Sequence, residues 1–245
     1  MASDPGRNLR WIVAIGGGLV FVGSLLFFAA SYLWRFDAAA PAVGSALPLI
    51  GIDLALFTGF ALHHSVFART GAKQWLQRLV PADLERSVYV WIASVIFIAV
   101  CAAWQPVPGL VWHVDGPFRH ALTAIQVAAM LFTVVAARRL GVLQLAGVAQ
   151  LQSPRSSRTG GSPEPVKLDD SGPYGLVRHP IYLGWLFIVW ATPTMNGTRL
   201  VFAAISTAYL ALAVPFEERD LRATFGPAYD AYCRRVKWRI VPFLY

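Results

Sequence analysis

Four apolar runs, residues 11–34, 46–67, 88–104 and 121–137, each approach the roughly 20 residues that a bilayer-spanning helix needs. With 56% hydrophobic and only 14% charged residues, the 245-residue chain is too apolar for a soluble domain of its size. Trp11, Trp34, Trp91 and Trp104 sit near the ends of these runs, where indole rings favour the membrane–water boundary. The first run is long enough to be retained as a span rather than removed as a signal peptide. A fifth apolar region, 181–214, is too long for one span and is interrupted at 192–198, where Pro193, Asn196 and Gly197 favour a turn. The expected fold is an all-α integral membrane protein with four transmembrane helices, a C-terminal transmembrane helical hairpin and a cytoplasmic helical cap.

The net charge of +8 raises nucleic acid as a partner, but the basic residues are not interleaved with aromatics along one face. Their distribution fits a lipid bilayer instead. Segments 1–10, 68–87, 138–180 and 217–245 hold 18 of the 21 Lys and Arg residues, leaving only Arg35, Arg119 and Arg199 elsewhere. Retention of positive charge on the cytoplasmic side then predicts both termini in the cytoplasm. The expected organisation is an N-terminal bundle over 1–145, a mobile cytoplasmic loop over 146–170 and the hairpin with its cap over 171–245. The loop is read from the Ser, Pro and Gly content of 152–165, QSPRSSRTGGSPEP.

Several polar residues carry less. Cys101 in an apolar run and Cys233 in a basic segment suggest neither a disulfide framework nor a thiolate metal site. His63 and His64 are adjacent, so they point to different helix faces and do not form a metal-binding i, i+4 pair. His113 and His120 are expected at the opposite surface. Asp53 is costly in lipid and should face the bundle or water, as a paired structural carboxylate or as a lining group of a substrate channel.

The polar stretch that stands out is SGPYGLVRHPIYLG at 171–184, which sets Tyr174, Arg178 and His179 directly before an apolar helix opened by Pro180. On the returning leg, Pro215 should kink or end the apolar helix just before Glu217 and Glu218. The two clusters should meet at one membrane surface. Arg and His donate to a carboxylate, Glu accepts from an ammonium, and the faces of Tyr174, Tyr182, Phe225 and Tyr229 can stack on adenine or attract a sulfonium. S-adenosyl-L-methionine carries all of these groups. The same residues equally describe an interfacial ion network that closes a hairpin.

In order and spacing, GPY-x3-RHP-x-Y-x-G, an apolar hairpin and EE-x2-L-x3-FG-x2-Y-x2-Y resemble the integral-membrane methyltransferases, which include isoprenylcysteine carboxyl methyltransferase and the phospholipid methyltransferases. The likeness covers about 166–242. The segments around His64, Leu84–Val90 and Trp104–Trp112, together with Ala191–Met195, are similar to bacterial methanethiol S-methyltransferases and NnrU-like proteins. The resemblance implies S-adenosyl-L-methionine held by membrane helices and their cap, with Val166, Lys167, Leu168, Tyr174, His179, Tyr182, Glu217 and Glu218 as cofactor contacts. Glu217 comes before Glu218 as the acidic contact, and Arg178 reads as either a ligand contact or a brace. Consistently, Gly16-Gly17-Gly18 lies in a span and is no dinucleotide-binding turn.

Prenylcysteine-type enzymes place an arginine one helical turn before the acidic pair to hold the substrate carboxylate. Here Ala211-Leu212-Ala213-Val214 is wholly apolar, which disfavours a carboxylate and favours a small or lipophilic thiol such as methanethiol. A thiol reacts as its thiolate, so a base would help, and His64 and His179, with Arg178 beside the latter, are the catalytic candidates. The other readings are methylation of a prenylcysteine carboxylate or lipid amine, and a non-enzymatic NnrU-like accessory protein.

Overall fold

The computed structural model describes residues 5–42, 44–67, 70–152 and 168–245. Its helices are α1 (Pro5–Ala30, prolonged by a π-helical turn Ser31–Arg35), α2 (Leu47–Phe67), α3 (Thr70–Leu76), α4 (Glu85–Ala103), α5 (Gly116–Arg139), α6 (Val142–Leu145), α7 (Ala149–Gln152), α8 (Pro173–Leu176), α9 (Pro180–Trp190), α10 (Gly197–Phe225) and α11 (Pro227–Arg235). Two short strands, β1 (Leu110–His113) and β2 (Thr194–Asn196), pair antiparallel. Among the described residues, five helices are long and apolar enough to cross a membrane. Leu9, Ile12, Leu19 and Leu26 along α1 are exposed, as expected where lipid rather than protein solvates a helix. The protein is an all-α integral membrane protein.

The first compact unit comprises α1, the later part of α2, α3, α4, α6 and α7. Glycine permits its closest crossing. The Trp91 ring lies where Cβ atoms on Gly16 and Gly17 would come within 2.9 Å of it, and its indole N–H donates to the Val13 carbonyl at 2.9 Å. The triple glycine is thus a helix-packing surface. Ala146 and Val148 pack on Ala14, so the residues that begin the expected loop are held against α1. The rest of that loop, 153–167, lies outside the described residues.

The second unit carries α5 and everything from Leu168 onward, with 36–54 and β1. Its α9 has only 11 residues, too few for a full span, so the expected hairpin has one short leg and one long one. The turn predicted at 192–198 is a strand locked to β1. There Asn196 caps α10 by accepting from the Arg199 N–H at 3.0 Å and donates to the Phe36 carbonyl at 2.7 Å, while Arg199 pairs with Asp37. Asp53 accepts from the Gln105 backbone N–H at 2.8 Å, which agrees with a structural carboxylate.

The α5–α9 contact aligns the site. The Gln126 side chain donates to the Ile188 carbonyl at 2.8 Å, and Gly184 lies so close to α5 that a Cβ there would collide with Thr133 Oγ1 and sit 3.2 Å from the Ala129 carbonyl oxygen. Pro215 does not end α10, which runs on to Phe225. Proline removes one ladder bond there without stopping the helix, and the continuation carries Glu217 and Glu218 past the last apolar turn. Gly184→Ala should therefore destabilise the protein by about 1–3 kcal/mol, as overpacking does. Thermal unfolding in detergent should show the loss, with partial recovery when Thr133→Ala is added.

Candidate functional site

The site begins with a forced bend. Gly172 has φ +58°, Pro173 opens the single turn of α8, and Val177 returns to extended backbone. His179 then precedes Pro180, which starts α9 without needing a partner for a missing N–H. In this short extended piece the Arg178 and His179 N–H groups donate to the carbonyls of Trp238 and Arg239, at 2.9 and 2.8 Å. The C-terminal segment is thereby tied to the motif. Val177, Leu183, Val214 and Ile240 form the apolar core beneath, and Tyr229, Tyr232 and Val236 form a second core packed by Leu168, Leu221 and Phe225.

His179 lies between the two glutamates of α10. Its Nδ1 is 3.4 Å from Glu217 and its Nε2 is 3.7 Å from Glu218, while its ring stacks on Tyr182 at 5.4 Å between centroids. The Tyr182 hydroxyl donates to Glu217. The Glu218 side chain is only 1% exposed, and three arginines surround it: Arg178 at 2.8 Å, Arg239 at 3.4 Å and Arg222 at 3.8 Å. Glu217, by contrast, keeps 42% of its side-chain surface exposed. Tyr232 donates its hydroxyl to the Tyr174 carbonyl at 2.8 Å, which holds α8 onto α11.

Burial works against a proton on His179, but the carboxylates of Glu217 and Glu218 on either side of the ring outweigh it, so its pKa lies above the ordinary histidine value. Burial raises the phenols of Tyr174, Tyr229 and Tyr232, with Asp169 adding to the effect at Tyr174 and Glu218 at Tyr229, so all three stay neutral hydrogen-bonding groups. A raised folded-state pKa means that the His179 contribution to stability is full below the unfolded value of about 6.5 and fades as pH rises through the folded value.

The structure brings together Tyr174, Arg178, His179, Tyr182, Glu217 and Glu218, and it sets Leu168 in the tyrosine core beside them. Val166 and Lys167 lie outside the described residues. His64 belongs to the first unit, where its Nδ1 lies 2.9 Å from the Tyr89 hydroxyl. Arg178 braces Glu218. Sequence reasoning missed Arg222 and Arg239 as partners of Glu218. The i, i+4 spacing of Glu218 and Arg222 on one helix could have found the first. No local pattern marks Arg239, which arrives through the fold of the C-terminal segment.

These residues fit a zwitterionic ligand with a flat aromatic part. Glu217 offers a carboxylate at the surface, Arg239 and Arg222 remain 35% and 45% exposed as cationic donors, and Tyr182 and Phe225 are half-buried aromatics. The Tyr229 hydroxyl is buried without a hydrogen-bond partner among the described residues. Replacing Arg178 by Ala should cost about 3–5 kcal/mol, because it strips a close cation from a buried carboxylate. Denaturant unfolding measures that loss. In thermal melts, His179→Gln should differ most from the parent at pH 5–6 and progressively less as pH rises.

No family profile matches the chain, and no solved structure matches it. Curated relatives do. Methanethiol S-methyltransferase of Mycobacterium tuberculosis is 34% identical over 93% of this chain and 90% of its own length. Methanethiol S-methyltransferase 2 of Bradyrhizobium diazoefficiens is 35% identical over 79% of this chain and 73% of its own. Nurim of Sus scrofa is 28% identical over 89% and 88%. With a relative 34% identical over 93% of this chain and 90% of its own length, the chain belongs to the integral-membrane methyltransferase family that contains the methanethiol S-methyltransferases.

Proposed function

We propose that this membrane methyltransferase transfers a methyl group from S-adenosyl-L-methionine to the sulfur of a small or lipophilic thiol, at the cytoplasmic face of a bacterial inner membrane with both termini inside. The observation that carries the reading is the convergence of His179 and Tyr182 on Glu217, just past the last apolar turn of α10, in the order and spacing of the two-part motif. Family membership supports methyl transfer, and the name of the methanethiol S-methyltransferases supports a thiol. The bound cofactor supplies a sulfonium whose methyl group is open to in-line attack.

The chain's own part is to bind, align and exclude water. Glu217 accepts from the amino group, the imidazolium of His179 and nearby arginines balance the carboxylate, and Tyr174, Tyr182 and Leu168 frame the site from the lead-in side; Val166 and Lys167 stand as cofactor contacts on the motif alone. The apolar turn Ala211–Val214 at the approach to the acidic pair presents no cation to an acceptor carboxylate, which favours a neutral or thiolate acceptor. Taking the thiol proton near neutrality needs a neutral histidine, a role proposed for His64 because His179 serves as the imidazolium.

Membranes containing the protein, given methyl-labelled donor and a panel of thiols, prenylcysteines and lipid amines, should label a thiol. Label in a lipid amine or prenylcysteine alone would overturn the acceptor assignment, and no label with any acceptor would favour an accessory role. Glu217→Ala and His179→Ala should each weaken S-adenosylhomocysteine binding by at least about tenfold, the worth of one charge-assisted hydrogen bond. Unchanged affinity in both variants would move the cofactor elsewhere.

A further inference from the structure

Glu217 and Glu218 are adjacent in sequence and opposite in circumstance. Glu217 is half exposed, whereas the Glu218 carboxylate is enclosed, with Arg178 and His179 on Oε1 and Arg222 and Arg239 on Oε2. A carboxylate engaged by cations on both oxygens cannot swing toward a ligand without stranding them. Arg239 also holds His179 twice. Its carbonyl accepts the His179 backbone N–H at 2.8 Å, and its guanidinium lies 3.4 Å from the carboxylate that faces the imidazole.

We infer that Glu218 is a positioning residue rather than a ligand contact: clamped by Arg178 and Arg239, it fixes the His179 imidazole against Glu217, and this makes Arg239, sixty residues further along the chain, a positioning residue of the same site. The inference rests on the reading of this site as the cofactor site and specifies how its residues divide the work. Glu217 meets the ligand, His179 orients Glu217, and the Glu218–arginine anchor orients His179. A neutral imidazole has one N–H and can donate to only one of the two glutamates. Loss of its proton therefore weakens its hold on one or other glutamate and leaves their negative charge less balanced beside the ligand.

The charged and titratable groups around His179 are Arg178 beside it, Tyr182 on α9, Glu217, Glu218 and Arg222 on α10, Tyr229 and Asp230 on α11, and Arg239 in the C-terminal segment. The two ends of the anchor act on His179 with opposite sign. Glu218 stabilises the imidazolium, while Arg239 opposes it through space and competes for Glu218.

The test is S-adenosylhomocysteine affinity, measured by calorimetry from pH 5.5 to 9.5 on the full chain in nanodiscs, for the parent, Glu218→Gln, Arg239→Gln and Arg239→Lys. Affinity of the parent should fall as pH rises through the His179 midpoint, which lies above the ordinary histidine value. Glu218→Gln should move that midpoint down by about one unit, Arg239→Gln should move it up, and Arg239→Lys should restore it. Lowered Tm with the midpoint unmoved in both Gln variants would overturn the inference by reducing the anchor to a structural brace. So would abolition of binding at every pH by Glu218→Gln alongside near-parental affinity in Glu217→Gln, since Glu218 would then be the contact. If Glu218→Gln does not fold, the Arg239 pair decides by the same upward shift and its rescue. Absence of binding by the folded parent would instead overturn the cofactor reading itself, and this inference with it.

Discussion

A carboxylate shut away from water at the end of an apolar helix must be neutralised by the chain that buries it, and Glu218 is in that position. The penalty for isolating it is several kcal/mol, so the segments that approach it have to bring cations. Arg178 arrives from the α8–α9 junction, Arg222 from the next turn of α10 and Arg239 from the C-terminal segment. The path of 60 residues is therefore bound to one charge. Because His179 sits between that charge and the more exposed Glu217, the same constraint that organises the cap also sets the geometry of the site.

Beneath the cap, helix association depends on small residues and on polar bonds between helices rather than on the exclusion of water, since lipid is as apolar as the side chains it replaces. Gly184 lets α9 reach α5, Gln126 and Trp190 fasten α9 to its neighbours through Ile188 and Thr207, and Val214 lies in the core where the apolar part of α10 ends. These contacts hold the start of α9 and the end of α10 together, so the charged groups meet without a long flexible side chain having to bridge them. The short α9 is completed by β2, whose backbone groups are satisfied by β1 and whose Asn196 begins α10.

The long spans were legible because a bilayer requires about twenty apolar residues in series, a property of local sequence. The polar motif was equally legible. Pro180 marked the start of a helix, and the acidic pair marked the end of the apolar run, so their meeting followed from a hairpin with both ends at one surface. The length of α9 was less so, because an apolar run of 181–214 with a turn in it does not reveal that the turn is a strand paired 80 residues back. Of the two outcomes expected at Pro215, a kink or an end, the helix does not end, since proline weakens a helix locally but does not decide whether tertiary packing carries it onward.

By itself the sequence determined an all-α membrane chain, basic residues gathered between the spans and a candidate site around His179 and Glu217, because these depend on hydropathy, charge and short-range spacing. Only the tertiary structure decided that the two glutamates differ, one half exposed and one enclosed, and that Arg239 belongs with them. Burial and long-range pairing are properties of the whole packed arrangement. Two neighbouring residues of identical chemistry carry no sign of them until the rest of the chain has closed around one.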